Sequence, residues 1–249
     1  MLAILNNQAH NGNGGFKPFP VGWSLNVAEG SRAGDTQNAR SRNGWIFVDN
    51  VAVDTITFSN GNIVFATNRE TDSRKMMYLV RKTNKTITKD VAFWCGGHFK
   101  TGSCTVITNS LGLFNRAQLH DQVTNVNQVW SRHRSALHRI NSTTVRVATT
   151  NSVASVHTYA DVTTISDNTE YWWRQTGNGS GSIKWDVYST FALWKAAGNG
   201  DVATTTTDVS SNDFSCDRFG IIDTNGLTAA SETMTLYWFD GDVCDWYNI

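Results

Sequence analysis

The chain has 249 residues, of which 40% are hydrophobic, 11% are aromatic and 17% are charged. This apolar fraction is enough for a sizeable core, while Thr, Asn, Ser and Gly must cover much of a charge-poor surface. No apolar run reaches the roughly 18 residues that a membrane-spanning helix needs, which excludes membrane insertion through such a helix. Because Thr is β-branched and Asn and Ser favour turns, the composition favours an all-β fold.

The net charge of zero hides an uneven distribution along the chain. Residues 1–150 carry 17 Lys and Arg against 8 Asp and Glu, whereas residues 151–249 carry 4 against 13. Strands from both halves either interleave so that the charges mix, or form opposed faces that favour stacking with copies of the chain or with a scaffold. Nucleic-acid binding is not expected, because the basic residues lack the interleaved aromatic residues of single-strand binders.

The first segment, residues 1–40, is rich in Asn, Gly, Arg and Ala and shows no sustained periodicity. It is either an arm ordered against a partner or an irregular terminus lying over the sheet. The opening "MLAILNNQAHNGNGG" lacks a basic start and has only a brief apolar run, so no signal peptide is predicted and we expect assembly in a cytoplasm. Residues 41–249 are predicted to form a single β-sandwich domain, since sandwiches of this length often fold as one unit.

From about residue 45 the dominant hydrophobic period is two, and turn residues recur at short intervals. This pattern predicts many short antiparallel strands, and both prolines of the chain precede it. Apart from the Trp-rich stretch considered below, the candidate strands are 45–49, 53–58, 62–67, 76–81, 90–100, 104–114, 143–150, 201–207, 217–223 and 233–243.

Residues 115–140 interrupt this pattern. Leu119, Val123, Val126 and Val129 recur at spacings of 3 and 4, which predicts a short helical insertion. Alternation over residues 123–129 equally permits a strand. The histidines and arginines of this segment have no Glu beside them, so a solvated basic loop is favoured over a histidine-based site.

The four cysteines, Cys95, Cys104, Cys216 and Cys244, form no CxxC pair, so no zinc site is predicted. Pairing of Cys95 with Cys104, or of Cys216 with Cys244, is geometrically open. Synthesis in a cytoplasm favours buried free thiols instead.

Glycoside hydrolysis needs two carboxylates across a cleft. The four glutamates, Glu29, Glu70, Glu170 and Glu232, lie far apart and form no E-x-D-x-E motif, so a non-enzymatic protein is expected. A hydrolase with an Asp pair remains an alternative. So does a polysaccharide lyase that uses His98 or His157 with a tyrosine such as Tyr188.

The segment "TLYWFDGDVCDW" places Asp240, Asp242 and Asp245 close together. Carboxylate oxygens at this density suit calcium, which takes six to eight oxygen ligands. A solvated acidic strand end is the alternative. Upstream in this segment, alternation predicts that Leu236 and Trp238 face opposite to Tyr237 and Phe239.

Residues 169–194, "TEYWWRQTGNGSGSIKWDVYSTFALW", place four tryptophans around a glycine-serine turn. Neighbouring residues on a strand point to opposite faces, so Trp172 and Trp173 must divide between the two faces. Trp185 shares a face with apolar neighbours, which predicts a core position. Indole rings in proteins are often mostly buried, with the ring N–H at a solvent-accessible edge.

A sugar ring can lie on an exposed aromatic ring while polar side chains satisfy its hydroxyls. After the core positions are assigned, the outward-facing member of the Trp172 and Trp173 pair is a candidate for such a site. Trp194, Tyr188 and Arg174 complete the candidate set. Trp194 in particular is expected to lie open, so that Trp194→Ala would cost no more than about 1 kcal/mol.

Several segments carry a family resemblance. The stretches "EYWWRQTGNGSGSIKWDVY", "DRFGIID", "TLYWFDGDV" and "SLGLFNRAQ" resemble strands of the concanavalin A-like, laminin-G-like jelly-roll sandwiches. The resemblance covers about 160 residues from about residue 90 and implies an all-β, two-sheet antiparallel jelly roll.

The resemblance also implies a context, because domains of this type without catalytic carboxylates are frequent in bacteriophage virions. We therefore expect a non-enzymatic virion accessory protein, a fibre or decoration adhesin that contacts glycans on the host surface. Its expected partners are other virion proteins and copies of itself. The alternatives are a purely structural capsid or tail cement protein and, third, the lyase or hydrolase.

Overall fold

The structure is a computed structural model of the chain. It describes residues 39–42, 45–49, 55–59, 62–68, 76–102, 109–115, 134–139, 145–150, 157–162, 165–210, 215–224 and 231–243. The predicted arm over residues 1–40 lies almost wholly outside these ranges. Only Ala39 and Arg40 are described, and they belong to the first strand.

One of two antiparallel sheets contains eight strands. They are β1 (Ala39–Arg42), β2 (Trp45–Asp49), β5 (Met76–Thr88), β7 (Asn109–Phe114), β8 (Arg134–Arg139), β9 (Val145–Thr150), β10 (His157–Val162) and β14 (Ser215–Thr224). Their order across the sheet is β1-β2-β5-β14-β7-β8-β9-β10.

The other sheet contains seven strands. They are β3 (Thr55–Ser59), β4 (Asn62–Asn68), β6 (Ala92–Thr101), β11 (Glu170–Asn178), β12 (Ser182–Tyr188), β13 (Ala203–Asp208) and β15 (Ser231–Gly241). Their order is β13-β12-β11-β6-β15-β4-β3. The predicted all-β, two-sheet antiparallel jelly-roll sandwich is therefore confirmed.

The two halves of the chain interleave in both sheets. In the eight-stranded sheet β14 lies between β5 and β7, and in the seven-stranded sheet β6 lies between β11 and β15. Strands of the second half thus lie beside strands of the first half in both sheets. In the described ranges, no helix is long and apolar enough to cross a membrane.

The glycine-serine turn joins β11 to β12 as the sequence predicts. Asn178 Oδ1 accepts hydrogen bonds from the backbone N–H of Ser180 at 2.8 Å and of Ser182 at 3.1 Å. Gly179 and Gly181 have φ values of 71° and 81°, which only glycine adopts without strain. The turn sets the register of the hairpin, in which Gly177 lies opposite Ile183.

The core lies between the two sheets and is built around indole rings. Trp173 of β11 stacks on Trp185 of β12 with ring centroids 5.2 Å apart and on Phe219 of the opposite sheet at 6.0 Å. Both tryptophans are at most 1% exposed. The predictions that Trp185 is a core residue and that Trp172 and Trp173 face opposite ways are confirmed.

A buried polar contact crosses the sandwich. The side-chain amide of Gln175 on β11 donates to the hydroxyl and backbone carbonyl of Ser135 on β8. Trp185 Nε1 donates to the same hydroxyl at 3.2 Å, and the Cys95 thiol lies 3.5 Å from Gln175 Oε1. Because these polar atoms are removed from water, their mutual hydrogen bonds fix how the sheets face each other.

Cys95 and Cys216 are buried, as predicted. Cys104 and Cys244 lie outside the described residues.

The helix prediction for residues 115–140 is wrong over Arg134–Arg139, which form β8 between β7 and β9. These residues lie beyond the spacing of Leu119 to Val129 on which the helix prediction rested, and they are hydrogen-bonded to strands on both sides. Residues 116–133 are not described.

Helix α1 (Phe191–Ala196) is the one helix in the described part of the chain. The Thr190 hydroxyl accepts from the Leu193 N–H at 3.3 Å and caps its start, and Ala197 ends it with φ 55°. Trp194 is its buried residue, at 5% exposure. The expectation that Trp194 lies open is therefore wrong.

The predicted alternation fails in β15. Leu236 pairs with Phe99 of β6, but the next paired residue is Trp238, opposite His98, so a β-bulge lies between them. Leu236 and Phe239 pack in the core, whereas Trp238 packs on the opposite face of the sheet. The bulge adds one residue to β15 and so reverses the facing of the residues that follow it.

We expect Trp185→Ala and Trp194→Ala each to lower the free energy of unfolding by about 3–5 kcal/mol, because each leaves a cavity the size of an indole. Leu193→Ala is the control, since Leu193 is 41% exposed on the same helix as Trp194 and should cost about 0.5 kcal/mol or less. Urea unfolding of the three variants measures the costs. A Trp194→Ala cost equal to that of Leu193→Ala would contradict the packing of α1.

Candidate functional site

The outer face of the seven-stranded sheet, which points away from the other sheet, carries an unusual concentration of aromatic side chains. A row of paired residues crosses it, formed by Tyr188, Trp172, His98 and Trp238. Trp194 of α1 packs on Trp238 edge to face, with ring centroids 4.9 Å apart. Helix α1 therefore covers the middle of the outer face.

Gly96 of β6 makes room for this helix. Trp194 Nε1 donates to the backbone carbonyl of Trp173 at 2.8 Å. A Cβ added at Gly96 would lie 3.0 Å from that Nε1 atom and still closer to the same carbonyl. Any larger residue at this position would therefore push the indole off the sheet.

On one side of α1 lies a group that we call the aromatic stack, consisting of Trp172, His98 and Tyr237. The His98 imidazole lies between the other two rings, 4.2 Å from Trp172 at an interplanar angle of 8° and 4.3 Å from Tyr237 at 24°. His98 itself is buried, whereas Trp172 and Tyr237 are partly exposed. The stack presents fixed ring surface to solvent.

Glu170 stands beside the aromatic stack and bonds to two of its members. Its Oε2 lies 3.1 Å from His98 Nε2, and its Oε1 accepts a hydrogen bond from the Tyr237 hydroxyl at 3.1 Å. Burial, followed by the charge of Glu170, raises the pKa of Tyr237 to about 12. The phenol is therefore protonated at neutral pH, next to a carboxylate whose side chain is 47% exposed.

On the other side of α1, the guanidinium of Arg174 lies against two neighbouring indoles, those of Trp94 and Trp194. Its guanidinium carbon is 5.0 Å from the ring centroid of Trp94 and 4.9 Å from that of Trp194. Nη2 donates to the backbone carbonyl of Trp194 at 3.3 Å. Cation–π contact with both rings and the hydrogen bond to Trp194 restrain the guanidinium.

Beyond Arg174 the outer face contains a pocket of about 460 Å³, which we call the cationic pocket. Its charged lining residues are Arg174, Lys184 and Asp186, and its neutral lining residues are Thr176, Asn178, Ser182, Ala197 and Thr206. The pocket lies between α1 and the edge strand β13. Its size is within the usual range for small-molecule sites.

The candidate glycan residues from the sequence fall into two groups. Trp172 and Arg174 lie on the outer face and are partly exposed, whereas Trp173, Tyr188 and Trp194 are buried. Trp173 belongs to the core between the sheets, and Tyr188 donates its hydroxyl to the backbone carbonyl of Gly198 at 2.8 Å. The rings of these three residues are therefore not accessible to a ligand: Trp173 supports the site from the core side, and Tyr188 and Trp194 pack beside it on the outer face.

The candidate calcium ligands are only partly described. Asp242 Oδ1 accepts from the Trp94 N–H at 2.8 Å, and its Oδ2 lies 3.3 Å from Lys85 Nζ. Asp240 Oδ1 accepts from the Gly241 N–H, and Asp245 lies outside the described residues. Over the ranges that can be described, no three His, Cys, Asp or Glu side chains form a metal-binding group. Calcium binding stays a prediction.

Sequence reasoning overlooked Tyr237, Lys184 and Asp186 as site residues, and it named Tyr188 as a tyrosine to accompany His98. In the structure Tyr237 lies against His98, and it is the residue of β15 that stands at the bulge. The alternation of β11 already places Glu170, Trp172 and Arg174 on one face. In the pairing of β11 with β6, Trp172 lies opposite His98, so this alternation together with the strand register would have placed His98 on the same face.

We expect Glu170→Gln to lower the pKa of Tyr237 from about 12, because the charge that disfavours the tyrosinate is removed. Burial remains, so the pKa should stay above the ordinary value of 10. Because the pKa of Tyr237 is higher in the folded than in the unfolded state, the protonated phenol stabilises the fold fully below pH 10. This stabilisation is lost as the pH rises through about 12. NMR titration of ring-labelled tyrosine measures the shift, with Tyr237→Phe to assign the signal. An unchanged pKa in Glu170→Gln would refute the contact.

Comparison with known proteins finds similarity at the level of fold. No protein-family model matches the chain, and no curated protein sequence matches it. Among solved structures, a protein of unknown function, SO2946 from Shewanella oneidensis MR-1, is similar with a TM-score of 0.54 and 14% identity, over 81% of this chain and 79% of that one.

Two further solved structures have named activities or classes. The family 7 alginate lyase A1-II′ is similar with a TM-score of 0.51 and 10% identity, over 83% of this chain and 84% of that one. Arcelin-5, a lectin-like defense protein from Phaseolus vulgaris, is similar with a TM-score of 0.50 and 11% identity, over 81% and 93%. The chain thus has the concanavalin A-like, lectin-like jelly-roll fold.

Proposed function

We propose that the protein binds a saccharide on the outer face of the seven-stranded sheet, at the aromatic stack and Glu170. The observation that carries this proposal is the fixed stack of Trp172, His98 and Tyr237 beside a half-exposed carboxylate. Aromatic surface suits the apolar face of a sugar ring. The carboxylate and the phenol supply an acceptor and a polar group for its hydroxyls.

Preorganisation supports the proposal. The His98 ring is in contact with an aromatic ring on each side and with Glu170 at its Nε2 atom, so little side-chain freedom is left to lose on binding. The stack rests on the central strands β11, β6 and β15, which are each paired on both sides. The lectin-like and lyase proteins that share the fold are consistent with a saccharide ligand.

The biological setting that we propose for this activity is a phage virion, where the protein would act as a fibre or decoration adhesin for host-surface glycans. The charge-poor surface and the sequence resemblance support this setting. Sedimentation of the protein with phage particles is its test. Attachment to particles without any saccharide binding would favour the alternative, a capsid or tail cement protein.

We expect Trp172→Ala to weaken saccharide binding by at least tenfold, because it removes the largest partly exposed ring of the site. Trp172→Phe should retain most of the affinity, since it keeps a ring against His98. Leu193→Ala, on the exposed side of α1, should bind like the unaltered protein. A screen of host envelope oligosaccharides followed by calorimetry gives the affinities. Equal affinity in Trp172→Ala and Leu193→Ala would refute the site.

Polysaccharide cleavage by β-elimination is the second candidate function, favoured by the contact of Glu170 with both His98 and Tyr237. In this reaction a base removes the proton beside the uronate carboxylate, the C–O bond to the leaving sugar breaks, and an acid protonates the departing oxygen. Tyr237 has a pKa of about 12 and would be the acid, while His98 would be the base. This assignment replaces the earlier pairing of His98 with Tyr188.

The lyase candidate predicts that polyuronate oligosaccharides give products with a new carbon–carbon double bond, detected by ultraviolet absorbance. Tyr237→Phe should abolish this product while saccharide binding persists, because it removes only the hydroxyl. Binding without product in the unaltered protein would eliminate the lyase and leave the adhesin.

A further inference from the structure

We infer that the cationic pocket is a second site, specific for the carboxylate or sulfate group of an acidic saccharide. It lies about 13 Å along β11 from the aromatic stack, counted from Trp172 to Thr176 at the usual rise per residue. The saccharide part of this ligand rests on the proposed function. The preference for a negative charge rests on the pocket itself.

Arg174 is the first reason for this assignment. The two neighbouring indoles and the carbonyl of Trp194 restrain its guanidinium, as described above. A restrained guanidinium that lines a cavity is a strong partner for a carboxylate or sulfate, because its donors match their oxygens in geometry.

The charge balance of the pocket is the second reason. Lys184 Nζ lies 2.9 Å from Asp186 Oδ2, so the single lining carboxylate is already paired with one of the two lining cations. Asp186 is buried, and its other oxygen accepts from the Gly200 N–H at 3.0 Å and from the Thr204 hydroxyl. The lining thus carries one positive charge in excess, which an anionic ligand would neutralise.

The neutral part of the lining fits a sugar rather than a bare ion. Thr176, Ser182 and Thr206 provide hydroxyls and Asn178 provides an amide, all of which can bond to saccharide hydroxyls. A volume of about 460 Å³ is also far larger than a carboxylate or sulfate ion requires. The matching ligand is therefore a uronate or a sulfated sugar.

A charge inserted at Thr206 tests this inference. Thr206 is exposed on the edge strand β13 and pairs with Lys184 across the strands, so substitution there spares the core. Thr206→Glu should weaken binding of an oligogalacturonate or a sulfated dextran fragment by about tenfold, because its carboxylate pairs with Lys184 and repels the anion. Thr206→Gln is the matched neutral variant, and its loss of affinity should be clearly smaller than that of Thr206→Glu, because it adds no charge beside Lys184.

Calorimetry with four probes separates the outcomes: oligogalacturonate, sulfated dextran, neutral dextran and inorganic sulfate. Tighter binding of either acidic saccharide than of neutral dextran, lost in Thr206→Glu alone, supports the inference. Equal affinity for acidic and neutral saccharides overturns it while leaving the proposed function intact. If the preference for acidic saccharides persists in Thr206→Glu, the anion does not bind in the cationic pocket. If inorganic sulfate binds as tightly as the saccharides, the assignment of a sugar ligand is wrong.

Discussion

The outer face of the seven-stranded sheet depends on a steric constraint in the central strand β6, where Gly96 and Gly97 follow each other. Gly96 leaves space for Trp194 on the outer face. A Cβ at Gly97 would lie 3.3 Å from Trp173 Nε1 on the inner face and closer still to the backbone carbonyl of Trp238. Two indoles can therefore lie against opposite faces of the sheet at almost the same point. Without the glycine pair, neither the core nor the helix could pack as it does.

The docked helix gives the outer face its chemistry. The indole of Trp194 contacts the Arg174 guanidinium and packs on Trp238. The same indole therefore holds α1 in place and restrains the guanidinium. The helix divides the face into the aromatic stack on one side and the cationic pocket on the other. One sheet therefore carries two separate sites. The first is the aromatic stack beside Glu170, and the second is the cationic pocket with its excess positive charge.

The sequence was sufficient for the fold class because the period-two pattern and the turn residues are local signals. It was also sufficient for the faces of β11 and β12, since alternation places Trp172 opposite to Trp173 and puts Trp185 in the core. Alternation failed in β15, where one bulge moved Trp238 to the outer face and placed it, rather than Tyr237, opposite His98. A bulge depends on the neighbouring strand, so its position could not be read from β15 alone.

What the sequence by itself determined is therefore the two-sheet architecture, the hairpin of residues 170–188 and the division of Trp172 and Trp173 between the two faces. Tertiary structure alone decided that Trp194 is buried, that Trp172 rather than Trp173 faces outward, and that Glu170 meets both His98 and Tyr237. The reason is physical. Alternation fixes the face on which a side chain lies, whereas burial and charge pairing depend on strand register and on a helix that folds back over the sheet.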